Sequence, residues 1–154
     1  ALGHVNRVLP LYLSASHRQG NTLNPDMLNY FPSAFNGAQT DIQMTQVLKC
    51  DDMFNNIRLD MIKIDIEGFE IECIKGALVC LSQPALRLVQ VALYDRFFFE
   101  ANQLLSPLFE YVYRAVIDPL SKQLKLMPLD DPQIKAFQER LPMYLYSKQP
   151  LSIH

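Results

Sequence analysis

The sequence predicts an α/β fold in a single domain over residues 1–154, and three observations carry that prediction. Residues 59–77, LDMIKIDIEGFEIECIKGA, fit a buried strand, a carboxylate-bearing turn and a helix. Met61, Ile62, Ile64 and Ile66 make an apolar, mostly β-branched run of the kind found in strands covered on both faces. Ile71, Ile74, Leu78 and Leu81 then follow at helical spacing. A second apolar run, Leu86 to Leu93, comes after that helix, and strand–helix–strand order argues for a right-handed parallel crossover. Hydrophobic residues make up 49% of the chain and charged residues 19%, which excludes a disordered polymer. A chain of this size buries roughly two-thirds of its unfolded surface.

Arg7 to Ser16 is predicted as a strand, with Pro10 near its start suiting an edge or strand-entry position. Gln19-Gly20-Asn21 marks a turn. Residues 24–37, rich in Asn, Pro and aromatics, fit an irregular loop with a short helical piece. Ile42 to Leu48 alternates as a strand does, and Cys50 to Asn55 fits one helical turn with Asp51 and Asp52 capping its start. The helix that follows Gly68 runs to Gln83-Pro84. Asn102 to Tyr111 is predicted as a helix with Leu104, Leu105, Leu108 and Phe109 on one face. Tyr111 to Ile117, Lys122 to Met127 and Met143 to Ser147 are predicted strands, giving the sheet an antiparallel end. Asp131-Pro132 starts a further helix whose stripe is Ile134, Phe137 and Leu141.

The chemistry concentrates at Asp65 and Glu67, which emerge at the carboxyl end of the signature strand, where open α/β sheets place their ligands. By spacing they share a strand face. Charge leaving a hydrophobic strand is costly unless something compensates it. Two such carboxylates suit a divalent cation, or a division of roles in which one takes a proton from a substrate hydroxyl. On a purely structural reading Glu67 satisfies backbone amides at the start of the helix, and Asp65 pairs with Lys63 or a loop amide. Tyr94, Phe97, Phe98 and Phe99 follow a strand end and suit either core filling or a substrate mouth.

Other function classes are excluded by composition. A net charge of −2 without a Lys/Arg cluster offers no field for nucleic acid. No apolar run approaches the ~20 residues of a membrane helix. His4, His17 and His154 are scattered, and Cys50, Cys73 and Cys80 lack metal-ligand spacing, so no metal site is expected. Cys73 and Cys80 lie seven apart on one predicted helix and are expected to face the core. The cellular compartment is not legible.

Residues 60–77, DMIKIDIEGFEIECIKGA, resemble the signature of the FkbM-type methyltransferases, a branch of the S-adenosylmethionine-dependent Rossmann-like enzymes. Asp60, Lys63, Asp65, Glu67, Gly68, Glu70, Lys75 and Gly76 match its pattern. More weakly, Ser14-Ala15-Ser16-His17 through Gly20 resembles the family's A-L-S-D-x-x-G, and Lys49-Cys50-Asp51-Asp52 its T-L-D-D. The resemblance implies a Rossmann-like methyltransferase sheet and O-methyl transfer to a small-molecule or glycan-like acceptor, with Asp65 and Glu67 as catalytic residues. It puts Ser16 and His17 on the adenine side of the cofactor, with His17 standing where an acid is usual. It also reveals departures, since the family's later strand glutamate falls on Ala92 and its histidine on Tyr94.

The family's cofactor half carries a glycine-rich turn, because only glycine lets backbone approach the cofactor closely. Here Gly3, Gly20, Gly37, Gly68 and Gly76 stand far apart and no G-x-G occurs. The expectation is a sheet lacking its amino-terminal cofactor-binding strands and starting at the family's third strand. The apolar surface so exposed would be covered by the missing half or by self-association. Enzyme status therefore stays open between a truncated methyltransferase and a non-catalytic remnant serving as a structural or interaction protein. A carboxylate–metal hydrolase has no third ligand to support it.

Overall fold

A computed structural model describes residues 1–15, 20–35, 40–118, 120–137 and 142–152. They fall into two compact units. The first comprises Ala1–Asn55 and Ile66–Leu78, and the second comprises Asn56–Asp65 and Val79–His154. Each contains a sheet and helices, so the expectation of a mixed α/β protein holds.

In the first unit, β1 (Leu2–Gly3), β2 (Arg7–Tyr12) and β3 (Ile42–Lys49) form a sheet of order β1-β3-β2. β1 runs parallel to β3, whereas β2 runs antiparallel to it, pairing Arg7 with Val47 and Tyr12 with Ile42. Pro10 lies on β2, at the sheet's edge, where its missing N–H costs no central ladder bond. Alternation then sorts the faces. Leu9 and Leu11 pack against the cluster of Leu23, Val47 and Phe69, joined by Ile66, while Val8 stays exposed.

The helices of this unit are short. α1 (Asp26–Tyr30) is the helical piece expected between 24 and 37, and its Met27 is fully buried. α2 (Cys50–Phe54) holds Asp51 and Asp52 in its first turn, but neither caps it. The capping region is tied by Asn6, whose Oδ1 accepts the Lys49 N–H at 2.7 Å and whose Nδ2 donates to Asp52 at 2.9 Å. The signature helix is divided into α3 (Glu70–Lys75) and α4 (Leu78–Ser82). At the break, a side chain on Gly76 would collide with the carbonyl oxygen of Gly3. Ile71, Ile74 and Leu81 are buried as the helical spacing predicts, but Leu78, just past the break, is 39% exposed.

The second unit holds a five-stranded sheet of order β4-β5-β8-β6-β7. Its strands are β4 (Met61–Ile64), β5 (Leu88–Ala92), β6 (Tyr111–Ile117), β7 (Leu124–Pro128) and β8 (Met143–Ser147). β4 and β5 are parallel, and the remaining pairs are antiparallel, as the pattern predicts. Val89, Val91, Val116 and Tyr146 are fully buried on these strands.

Three expectations in this unit are corrected. β4 ends at Ile64, two residues before the apolar run does. The long helix, α5, spans Asp95–Leu105 instead of starting at Asn102. Its first turns absorb the aromatic run, with Phe98 stacked on Tyr144 at 4.5 Å and Phe99 72% exposed. Asp131 does cap a helix start, accepting the Gln133 N–H at 2.8 Å, but the element is a 3-10 helix over Pro132–Ala136. Leu141, from the stripe expected there, lies outside the described residues.

Candidate functional site

Beyond Ile64 the backbone leaves the extended region. Glu67 has φ of +54° and Gly68 has φ of +91°. The left-handed conformation costs a residue with a Cβ roughly 1–2 kcal/mol, so Glu67 stays there only because its surroundings hold it. Gly68 is required twice over. An L side chain rarely adopts its φ, and a Cβ would lie 2.6 Å from the sulfur of Met27.

Three side chains of the first unit hold the turn. The Thr22 hydroxyl donates to the Glu67 carbonyl at 2.6 Å, and Asn24 Nδ2 donates to the Gly68 carbonyl at 2.9 Å. Glu70 folds back from the start of α3. Its Oε1 accepts the Ile66 N–H at 3.0 Å and the Gly68 N–H at 3.1 Å, and its Oε2 accepts the Gly68 N–H at 3.0 Å. Thr22 and Asn24 are themselves ordered, since the Asn24 N–H donates to the Thr22 oxygen and the Asp26 N–H to Asn24 Oδ1, each at 3.0 Å.

Glu70 is 1% exposed. Burial pushes its carboxyl above the usual carboxylate range, outweighing the backbone amides that favour the ionised form, and the charge of Glu67 pushes the same way. One turn further along α3, burial and then the charge of Glu70 push the Cys73 thiol up to about 11. So protonated, Cys73 is a core residue and not a nucleophile. Cys50 and Cys80 are buried as well and form no disulfide.

The two carboxylates singled out from the sequence therefore have different settings. Neither lies on β4, so the argument that spacing puts them on one strand face does not apply. Asp65 belongs to the second unit and pairs with Lys63 at 3.0 Å, as its structural reading anticipated. Both partners are well exposed, so the pair is worth no more than about 1 kcal/mol. Glu67 belongs to the first unit and sits half-buried in the constrained turn. The amide-satisfying role considered for Glu67 is filled by Glu70, a residue matched in the signature but assigned no task from sequence. The available signal was an acid opening a helix two residues after a glycine.

The other residues singled out from the sequence make ion pairs and packing contacts. Asp60 lies 3.5 Å from Arg58 and 3.7 Å from Arg87. Glu72 pairs with His4 and, at 3.5 Å, with Lys75. Ala92 pairs with Met143 across the sheet, and Tyr94 packs edge-on against Phe97. Ser14 is tied through its N–H to Asn21 Oδ1 and through its hydroxyl to the Ala34 carbonyl. Ser16 and His17 lie outside the described residues.

Among the described residues no group of three or more His, Cys, Asp or Glu side chains is arranged to hold a metal ion. Among the described residues no helix is long and apolar enough to cross a membrane. Three of the described glycines leave no opening for the S-adenosylmethionine that the resemblance implies. The space a Cβ would fill is occupied by Val47 and Phe69 at Gly3, by Met27 at Gly68 and by Gly3 at Gly76. These glycines serve internal packing and form no cofactor cradle.

A family model described as the methyltransferase FkbM domain matches residues 2–115. The match runs from β1 into β6 and includes the whole Glu67–Glu70 turn. No curated protein and no solved structure matches the chain.

Proposed function

The chain belongs to the FkbM methyltransferase domain family, and on that premise we propose that it takes part in O-methyl transfer to a hydroxyl of a small-molecule or glycan-like acceptor. The observation that carries the reading is the match itself, which covers both sheets' parallel pairings and the signature turn. The parallel β4–β5 pair, with α3 and α4 between its strands in sequence, supports a Rossmann-like methyltransferase sheet.

S-adenosylmethionine supplies an electrophilic methyl group in such chemistry, so the protein has to provide alignment and a proton acceptor. Glu67 is our choice for that acceptor, because a strained residue held by three neighbouring side chains is a common mark of a working position. As a carboxylate it would take the proton of the attacking hydroxyl. Asp65 is retained as the second catalytic candidate, and Ser16 and His17 as the cofactor-side candidates. The glycines at 3, 68 and 76 make no contribution to cofactor binding in this reading.

The test is transfer of a labelled methyl group from S-adenosylmethionine to a panel of hydroxylated small molecules and simple glycans. Labelling of at least one acceptor is expected, with loss of roughly 10²–10⁴-fold in Glu67→Gln at unchanged melting temperature. Undiminished transfer by Glu67→Gln would remove Glu67 from the chemistry. Failure of the wild-type chain to label any acceptor would overturn the reading.

A further inference from the structure

We propose that Glu70, assisted by Thr22, is a positioning residue that holds Glu67 in its left-handed conformation and so fixes where the Glu67 carboxylate is presented. The inference rests on the proposed role of Glu67 as proton acceptor, and adds how that role is built. Neither Glu70 nor Thr22 reaches the reaction itself. Each acts on the backbone of the turn.

Three features carry the inference. First, the restraints bracket Glu67. Glu70 accepts N–H groups on both sides of it, from Ile66 at 3.0 Å and from Gly68 at 3.0 and 3.1 Å, while Thr22 fixes the carbonyl of Glu67 itself at 2.6 Å. The peptide after Glu67 is held at both its carbonyl and its N–H, and the chain is anchored again at the Ile66 N–H one peptide further back, so the φ and ψ of Glu67 are narrowed between those anchors. Second, the conformation imposed is unfavourable for glutamate, at φ +54°, so release of the restraints would let the residue relax toward negative φ. A change of sign in φ would swing the Cα–Cβ bond and carry the carboxylate away from its place.

Third, the restraining group is a poor choice for stability. A carboxylate that is 1% exposed and raised above its usual range by burial works against folding when ionised. An apolar residue filling the same space would avoid that cost, but could not accept the Ile66 and Gly68 amides. The ionised oxygens of Glu70 provide three acceptor contacts in one side chain, which a neutral amide cannot match. Thr22, also 1% exposed, is likewise a polar group kept in the interior for the bond it makes to the turn.

The experiment compares wild type with Glu70→Gln and the milder Thr22→Val by three readouts: thermal melting, the intraresidue HN–Hα cross-peak of Glu67, and methyl transfer to the hydroxylated acceptor panel. A strong cross-peak marks positive φ. Glu70→Gln is expected to melt as a folded protein, to weaken the Glu67 cross-peak, and to lose at least tenfold in transfer at unchanged acceptor KM. Thr22→Val, nearly isosteric, removes the bond to the Glu67 carbonyl and the one from the Asn24 N–H but leaves Glu70 in place. It is expected to shift the same two signals less, and it decides the matter should Glu70→Gln not fold. A Glu67 cross-peak unchanged in a folded variant would overturn the positioning role. A weakened cross-peak with undiminished transfer would do so as well. Absence of transfer by the wild type would end both readings of the reaction, and the cross-peak would still report whether the restraint on φ is real, so the two failures are distinguishable.

Discussion

Both carboxylate oxygens of Glu70 lie at hydrogen-bond distance from the Gly68 amide, at 3.1 and 3.0 Å, two residues back along the chain. This backward reach ties the start of α3 to the turn before it, and leaves Glu67 and Gly68 together at positive φ. The turn is thus defined by side chains more than by its own backbone preference.

Gly68→Ala tests that definition from the backbone side. The substitution meets an unfavourable φ of +91° and the Met27 side chain at 2.6 Å. Strain and overpacking together should cost about 2–4 kcal/mol, read as a lower denaturation midpoint in urea at unchanged slope.

Glu67→Asn should behave in the opposite way. Asparagine tolerates the left-handed region better than glutamate, so stability should rise by up to about 1 kcal/mol. Methyl transfer should fall all the same. Gain of stability with loss of function at one position is the expected signature of strain kept for chemistry.

The pH dependence follows from the direction of the Glu70 shift. Its carboxyl is raised above 4.5 in the fold, first by burial, with the Glu67 charge adding to it. Between 4.5 and the raised value the folded chain binds more protons than the unfolded one at this group. Its contribution to stability is therefore greatest at low pH and declines as pH rises through that window. Cys73, the other titrating neighbour, stays protonated there, at about 11. Unfolding free energies measured from pH 4 upward should show this falling component in wild type, and Glu70→Gln should remove it.

The cysteines give a separate check on the packing of each unit, Cys50 and Cys73 in the first and Cys80 in the second. Cys50, Cys73 and Cys80 are buried, at 5%, 6% and 0% exposure, and the Cys73 thiol is pushed up by burial. Iodoacetamide should label none of them in the native protein near neutral pH, and all of them in urea. Native labelling of Cys73 would contradict the packing of α3.

Much of this architecture was legible because β-rich apolar runs stand between turn residues, as in Ile42–Lys49, Tyr111–Ile117 and Met143–Ser147, although Ile42 and Met44 are exposed. β4 was read too long for a physical reason. Ile66 continues the apolar run, but it is apolar because it packs on Leu23, Val47 and Phe69 within the first unit, to which it belongs, not because it pairs in the sheet of β4. The start of α5 was hidden by Phe97, Phe98 and Phe99, three like residues in a row that carry no helical period. Gly76 gave no warning that it would divide the signature helix, since its requirement comes from Gly3, far away in sequence. The candidate residues stood out as a motif, and their surroundings did not. The position of Asp65 and Glu67 after an apolar run drew attention to them, but a side chain reaching back to its own turn, as Glu70 does, leaves no periodic trace.

The most direct test of methyl-transfer function is calorimetric titration of the 154-residue chain with S-adenosylmethionine and with its demethylated product. The account predicts saturable binding of both, with dissociation constants on the order of micromolar, through residues other than Gly3, Gly68 and Gly76. A well-folded sample that binds neither molecule would contradict it.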